Sequence, residues 1–403
     1  MSGILFWLLF SSAQAESLSD YLERALSSNP EIQAKKMEIQ IAEAQANQAG
    51  FLPDPRIMIG GAISPIETRL GPQQGRVSVS QQLPWFGTLR LQEEMFLRYI
   101  YMENQEFREV VLDVWYRMTE IWINLIEQEM ILVILNKNSE ILNVYHKIML
   151  QKYQQARKGL TDVLMVEMQI EKNSLKKQIV IDKIEFQKKR FFLLLGEDNP
   201  SEIVLPFELT AENIPEATST VYPRLQWYDE KLEAIEIKEK IIKKQIYPSI
   251  HLGVDYVLIG NMSGNEAVEN GRDAIIPMLG LSLPIYQQKN KAKKDEIIIQ
   301  KQMVKLKKQS FVNEYQTSLE EQRFIMSKNQ DRMASIETQI QLEQKRLTLL
   351  EQDFQVSGRG FEQLLKKQED ILELQLQKIT YEKEYCLAQA KHNQLSGVYY
   401  VDF

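Results

Sequence analysis

The 403-residue chain has a single cysteine, Cys386, and only three histidines, His146, His251 and His392, far apart in sequence. One thiol excludes an intramolecular disulfide and a cysteine-based zinc site. Catalysis and metal binding need clustered ligands or a nucleophile beside a base, and no such cluster can be read here. No glycine-rich phosphate loop occurs either. The expectation is a protein that is not an enzyme and has no cofactor and no metal site. The net charge of −7 lacks the basic excess that nucleic acid attracts, so no nucleic-acid partner is expected. Beyond the first residues no run of about 18 apolar residues exists, which excludes a transmembrane helix.

Glycine (17) and proline (13) are sparse, while Leu, Ile, Gln, Glu and Lys dominate. This is the composition of long helices. At the start, an apolar run from Ile4 to Phe10 precedes Ala13-Gln14-Ala15, a small-x-small cleavage pattern. It predicts a secretory signal peptide over 1–15, although no Lys or Arg precedes the run. The competing reading is a buried helix start. No cysteine follows the cut, so a lipoprotein anchor is not supported.

The chain is written twice. Pro53 and Pro248 open similar alternating segments 195 residues apart, and Leu83-Pro84 and Leu283-Pro284 close two others at an offset of 200. KYQQARKGLTDVL (152–164) matches DFQVSGRGFEQLL (353–365) at an offset of 201, pairing Gly159 with Gly360. A first repeat over 16–195 is predicted to hold a helix, a β-hairpin at 56–83, a long helix and a return helix. A second repeat over 223–395 has the same order, with its hairpin at 249–283. The linker 196–222 is acidic and proline-bearing, and 396–403 is a short tail. The predicted helices run over 17–49, with a break at Asn29-Pro30, then 86–156, 161–195, 224–247, 286–356 and 361–395.

The first long helix carries a heptad stripe: Phe107, Val111, Val114, Met118, Ile121 and Leu125, continuing through Leu135, Leu142, Met149 and Tyr153. Gln128, Ser139 and His146 are polar steps within it. A 3.5-residue period implies left-handed coiling against neighbours. At 1.5 Å per residue the helix is roughly 105 Å long, far beyond what a globular core needs.

Four segments of about nine residues alternate, the length that crosses a bilayer when tilted. Ile57 and Ile59 oppose Arg56 and Met58. Val77 and Val79 oppose Ser78 and Ser80. Leu252 and Val254 oppose His251 and Asp255, and Leu279 and Leu281 oppose Gly280 and Ser282. One apolar and one polar face is the pattern of a membrane barrel. Gln81 and Pro277 fall on the apolar side and weaken the fit. The polar, glycine-rich stretches 65–75 and 260–273 read as outer loops. Four strands cannot close alone, and open edges cannot face lipid. Three chains would give a twelve-stranded barrel. A soluble four-stranded sheet packed on helices is the competing reading.

The stretches ALSSNPEI (25–32), LPDPRI (52–57), VSVSQQLPWFG (77–87), KYQQARKGLTDVL and YPRLQ (222–226) resemble the TolC-like outer-membrane efflux family. The QQLPWFG stretch is similar to its heavy-metal efflux branch. The resemblance implies a mainly α protein with membrane β. Its duplicated long-helix hairpins would form an α-barrel, and four strands from each chain would enter a shared trimeric β-barrel. It implies a homotrimer in outer-membrane lipid, with the helices in the periplasm. It also implies a periplasmic adaptor and an inner-membrane transporter of the RND type. The function implied is a passive exit duct for metal ions or small toxic molecules; a non-pore coiled-coil scaffold of the envelope is the alternative. Two departures stand out. Ala156 sits where the family carries glycine at the first tip, with Ser357 at its counterpart. Glu362, Gln363, Lys366 and Lys367 occupy a region where the family tends to be acidic, which leaves a carboxylate constriction ring without its residues.

The site residues follow from these readings. Asp162 and Arg359, from opposite repeats at similar heights, are expected to pair as a periplasmic gate, with Tyr153 and Phe354 beside them. Gly159 and Gly360 are expected to take the backbone turns. With Lys158, Leu160, Arg359 and Phe361 they would form adaptor-docking helix tips. Arg56, Ser78, Ser80, His251 and Asp255 are expected to line the lumen.

Overall fold

The computed structural model describes residues 17–197, 203–206, 209, 221–262 and 271–397. The predicted signal peptide, most of the linker, the middle of the second hairpin loop and most of the tail lie outside the described residues. Two helices, α1 (Leu18–Ser28) and α2 (Pro30–Ala49), lead into strands β1 (Arg56–Thr68) and β2 (Gly71–Leu83). Helices α3 (Thr88–Gln154) and α4 (Leu160–Leu195) complete the first copy. The second copy runs α5 (Pro223–Lys244), β3 (Ser249–Ile259), β4 (Ala274–Ser282), α6 (Gln287–Ser357) and α7 (Phe361–Leu395). The duplicated order predicted from the offsets is therefore the order of the elements. No described helix is long and apolar enough to cross a membrane. The chain divides into two compact units.

One unit is helical. It combines the described residues up to Lys35 with Arg108–Pro223 and the residues from Val312 onward. The heptad stripe is its core: Val111, Val114, Met118, Ile121, Leu125, Leu135, Leu142 and Met149 are all buried. Trp115, fully buried, donates Nε1–H to the carbonyl of Leu22 at 3.2 Å. Tyr21, Trp122 and Phe191 pack edge-on or tilted, with centroids 5.1–5.9 Å apart.

The Asn29-Pro30 break has a clear cause. Asn29 ends α1 and caps α2, accepting from the Ile32 N–H at 3.0 Å, with Pro30 in the first helical position, where its missing N–H is not needed. The Asn29 amide also donates to the carbonyl of Leu194 at 2.6 Å, tying the α1–α2 joint to the end of α4. There Gly196 adopts φ 81°, and a Cβ on it would lie 2.5 Å from the carbonyl oxygen of Ser28. Only glycine fits both that dihedral and that approach.

The polar steps in the stripe are used. Asn138 donates to Asn173 on α4 at 3.0 Å, and Asn173 donates to Ser139 at 2.7 Å and to the carbonyl of Leu135 at 3.0 Å. Gln368 on α7 reaches Asn138 at 3.4 Å. This buried layer joins three helices by hydrogen bonds that satisfy one another. His146 pairs with Glu167 at 3.1 Å.

The other unit, Lys36–Phe107 with Arg224–Phe311, contains the sheet. Its strands are antiparallel in the order β1-β2-β3-β4, so the two hairpins, one from each copy, join through β2 and β3. The strands of the first hairpin have 13 residues each rather than nine. The stretch 65–75, expected to be a loop, is mostly strand, and Thr68 pairs with Gly71 around a two-residue turn. A register shift between Gly61 and Ile66 broke the alternation that would have revealed it. In the helical part of this unit, Ile235 and Ile242 of α5 pack on Ile297 and Val304 of α6. Arg98 bridges to Glu230 and Glu233 at 3.1 and 2.7 Å.

Candidate functional site

The two predicted functional regions are the sheet face and the helix tips. In the sheet, the register puts Arg56 opposite Ser80, Ser80 opposite Gly253, Ser78 opposite Asp255, and Gln82 opposite His251. All five residues expected to line a lumen share one face. The opposite face carries Ile57, Ile59, Val77, Val79, Ile250, Leu252, Val254, Tyr256, Ile275, Leu279 and Leu281, with no charged residue among them. Ile59 and Leu279 are 82% and 71% exposed, so among the described residues nothing covers them. Gln81 does not spoil it: its amide turns aside to donate to the carbonyls of Pro53 and Gln82 at 2.6 and 3.0 Å. Pro277 lies in β4, the outer strand of the sheet within one chain, opposite Val254 of β3.

Asp255 is not an open wall residue. Its side chain is 1% exposed and ion-paired with Arg76 of the neighbouring strand, a residue that the sequence reading did not single out. His251 bonds with Ser282 at 2.9 Å.

At the end where helices meet strands, large apolar and aromatic side chains stand exposed: Phe51, Phe86, Tyr247, Ile285 and Tyr286. Trp85 stacks on Tyr247 at 4.9 Å, and Lys244 donates to the carbonyl of Phe86 at 2.9 Å. These contacts explain locally why LPWFG follows β2. An apolar face bordered by aromatics is what a lipid-facing sheet presents at its interface.

At the tips, the expected Asp162–Arg359 pair does not form within the chain. Asp162 takes the nearer partner, Lys158, at 3.4 Å one helical turn away. Arg359 is exposed, and its backbone N–H donates to Ser357 Oγ at 3.1 Å. Phe354 and Phe361 are both core residues, with ring centroids 5.6 Å apart amid Leu142, Met149, Val163, Val166, Leu364 and Leu365. Phe361 therefore belongs to packing rather than to an exposed docking tip. Leu160 and Tyr153 are exposed, as surface roles require. Lys152 lies 3.9 Å over the Phe354 ring. Burial, and then the like charges of Lys158 and Arg157, lower its pKa. Tyr145 donates to Glu351 at 3.2 Å, and burial together with that carboxylate raises its pKa.

The turns also differ from expectation. Gly159 is extended (φ −79°, ψ 157°), and Ala156 takes the left-handed position at φ 55°. In the second copy, Gly358 (φ 67°) and Gly360 (φ 83°) both do so. Lys367 is occupied by Glu343 and Asp370 at 3.0 and 2.7 Å.

A duplicated helix–hairpin–long helix–return helix chain, carrying a four-stranded sheet with one largely apolar face, has the fold of the TolC-like outer-membrane channels. Among solved structures, the chain is similar to that of CusC, described in terms of folding and transmembrane channel formation. The TM-score is 0.79 at 13% identity, over 96% of each chain. It is also similar to the outer membrane protein VceC of Vibrio cholerae, with TM-score 0.76 at 13% identity over 95% of this chain and 97% of that one. The open-state outer membrane channel MtrE of Neisseria gonorrhoeae gives TM-score 0.76 at 15% identity, over 94% and 89%. No protein-family model and no curated protein sequence matches the chain.

Proposed function

We propose that the chain is one third of a trimeric channel-tunnel in the bacterial outer membrane, with its helices in the periplasm, serving as the passive exit duct of a tripartite export system. The observation that carries this is the sheet. It has two open edges, β1 and β4, and an exposed face whose central rows are apolar, with Glu67 and Asp273 only at its hairpin end. Such a face suits lipid, but such edges do not, and pairing β4 of one copy with β1 of the next removes them. The aromatic end marks the periplasmic boundary. In this reading a periplasmic adaptor docks at the exposed tip residues Gly159, Leu160, Arg359 and Gly360, with the half-buried Lys158 beside them. An inner-membrane transporter of the RND type supplies the energy, and metal ions or small toxic molecules are the cargo. Tyr153, Asp162 and Arg359 face neighbouring chains as the gate, while Phe354 supports it from the core.

The test is the native mass of the protein extracted in detergent from the outer-membrane fraction. A trimer of about three chain masses is expected. A soluble monomer or dimer would overturn the proposal and favour the coiled-coil scaffold, since the strand edges would then remain unclosed.

A further inference from the structure

We infer that Arg76 and Asp255 tune the ionic selectivity of the pore: each cancels the other's charge on the inner wall of the barrel, so that removing either one biases which sign of small ion passes. The inference rests on the reading that three chains close one barrel. Arg76 pairs in register with Val257 on β3, two residues beyond Asp255, so the two side chains are diagonal neighbours on one face. That is the face opposite the apolar one. Asp255 is shut away from solvent, and among the described residues Arg76 is the cation paired with its carboxylate. Its negative charge is thus held by the Arg76 guanidinium, in a position where an unpaired charge is costly.

The two members are not equally placed. The Arg76 side chain is 47% exposed, lies over the carboxylate, and reaches the Met278 sulfur at 3.6 Å. The wall thus shows a cation whose field is cancelled by a covered anion. Directly around them the same face carries the small residues Ser78, Ser80, Gly253 and Gly280. Arg56, at the outset of β1, stands two rows from Arg76 and one row from Asp255, two strands over. Repeated three times around a barrel, removal of one partner leaves a ring of three like charges. Ions inside a low-dielectric wall respond strongly to such a ring.

The experiment measures reversal potentials in planar bilayers under a KCl gradient, using the full-length protein. Asp255→Asn is expected to lower the potassium-to-chloride permeability ratio by roughly tenfold, the lower end of counter-ion enrichment in charged clefts. Arg76→Gln should raise it by a similar factor, and the double variant should return to the wild-type value. Should a single variant fail to assemble, Arg76→Cys with Asp255→Asn tests the same wall without a buried charge. The native thiol, Cys386, is buried, so water-soluble thiosulfonates read only the new one. A sulfonate-bearing reagent should then shift selectivity toward cations, and an ammonium-bearing reagent toward anions. Conducting pores whose permeability ratio moves in none of these variants would overturn the inference while leaving the channel reading intact. Wild-type protein that never conducts would remove both.

Discussion

The two helix tips descend from one ancestral turn yet close in different ways. At the first tip, Arg157 N–H reaches back to Lys152 and Ala156 N–H to Tyr153, both at 2.9 Å. This is a Schellman closure with a residue bearing a Cβ in the left-handed position. At the second, Gly358 N–H returns to Phe354 at 2.9 Å in a simpler αL closure, and Gly360 turns the chain again before α7. The first tip carries backbone strain that the second avoids. Both rest on one shared apolar cluster. Strain is therefore local to each turn, whereas support is common.

Five substitutions break or sharpen that contrast, read by amide hydrogen exchange at the two tips. Phe361→Ala should have the largest effect. It empties a fully buried site and costs about 3–5 kcal/mol, loosening both tips together; if only the second tip loosened, the cluster would not be shared. Gly358→Ala and Gly360→Ala come next. Each forces a Cβ into the left-handed region at about 1–2 kcal/mol, with loss of protection confined to the second tip. Ala156→Gly should act in the opposite direction, raising protection of the first tip by about 1 kcal/mol as the same strain is relieved. Gly159→Ala should be the smallest. Its dihedrals are ordinary, and the added Cβ would meet only the Thr161 nitrogen at 3.9 Å, so a gain of about 0.4–1 kcal/mol from a stiffer unfolded chain is expected. A clear loss of protection there would mean that the left-handed turn is at Gly159 after all.

The sequence revealed most about long, periodic features and least about single turns. The 3.5-residue stripe and the 200-residue offset located six of the helices to within a few residues, because each rests on many positions at once. The strand faces were legible for the same reason. The extension of β1 beyond Gly61 was not, because one bulge inverts the alternation. Arg76 stood outside the segment where the alternation was counted, so the partner of Asp255 went unseen. Phe361 was placed on an exposed tip because it follows a glycine, but a large apolar residue at a helix start turns toward the core when an aromatic such as Phe354 waits there. For Asp162, a partner four residues earlier was visible in the sequence as Lys158. The more distant Arg359 was chosen on the strength of the resemblance.

A stripe that repeats every seven residues is almost indifferent to a shift of seven: leucine would meet leucine again. Over helices of this length that indifference is a hazard, since a slipped hairpin would bury nearly the same area. The Asn138–Asn173–Gln368 layer removes it. One heptad away, these amides would face aliphatic carbons and stay buried without partners, each at a cost of about 1–3 kcal/mol. The layer acts as a phase mark on an otherwise periodic scale, making the reach of the return helices, and with it the height of the tips, a determined quantity.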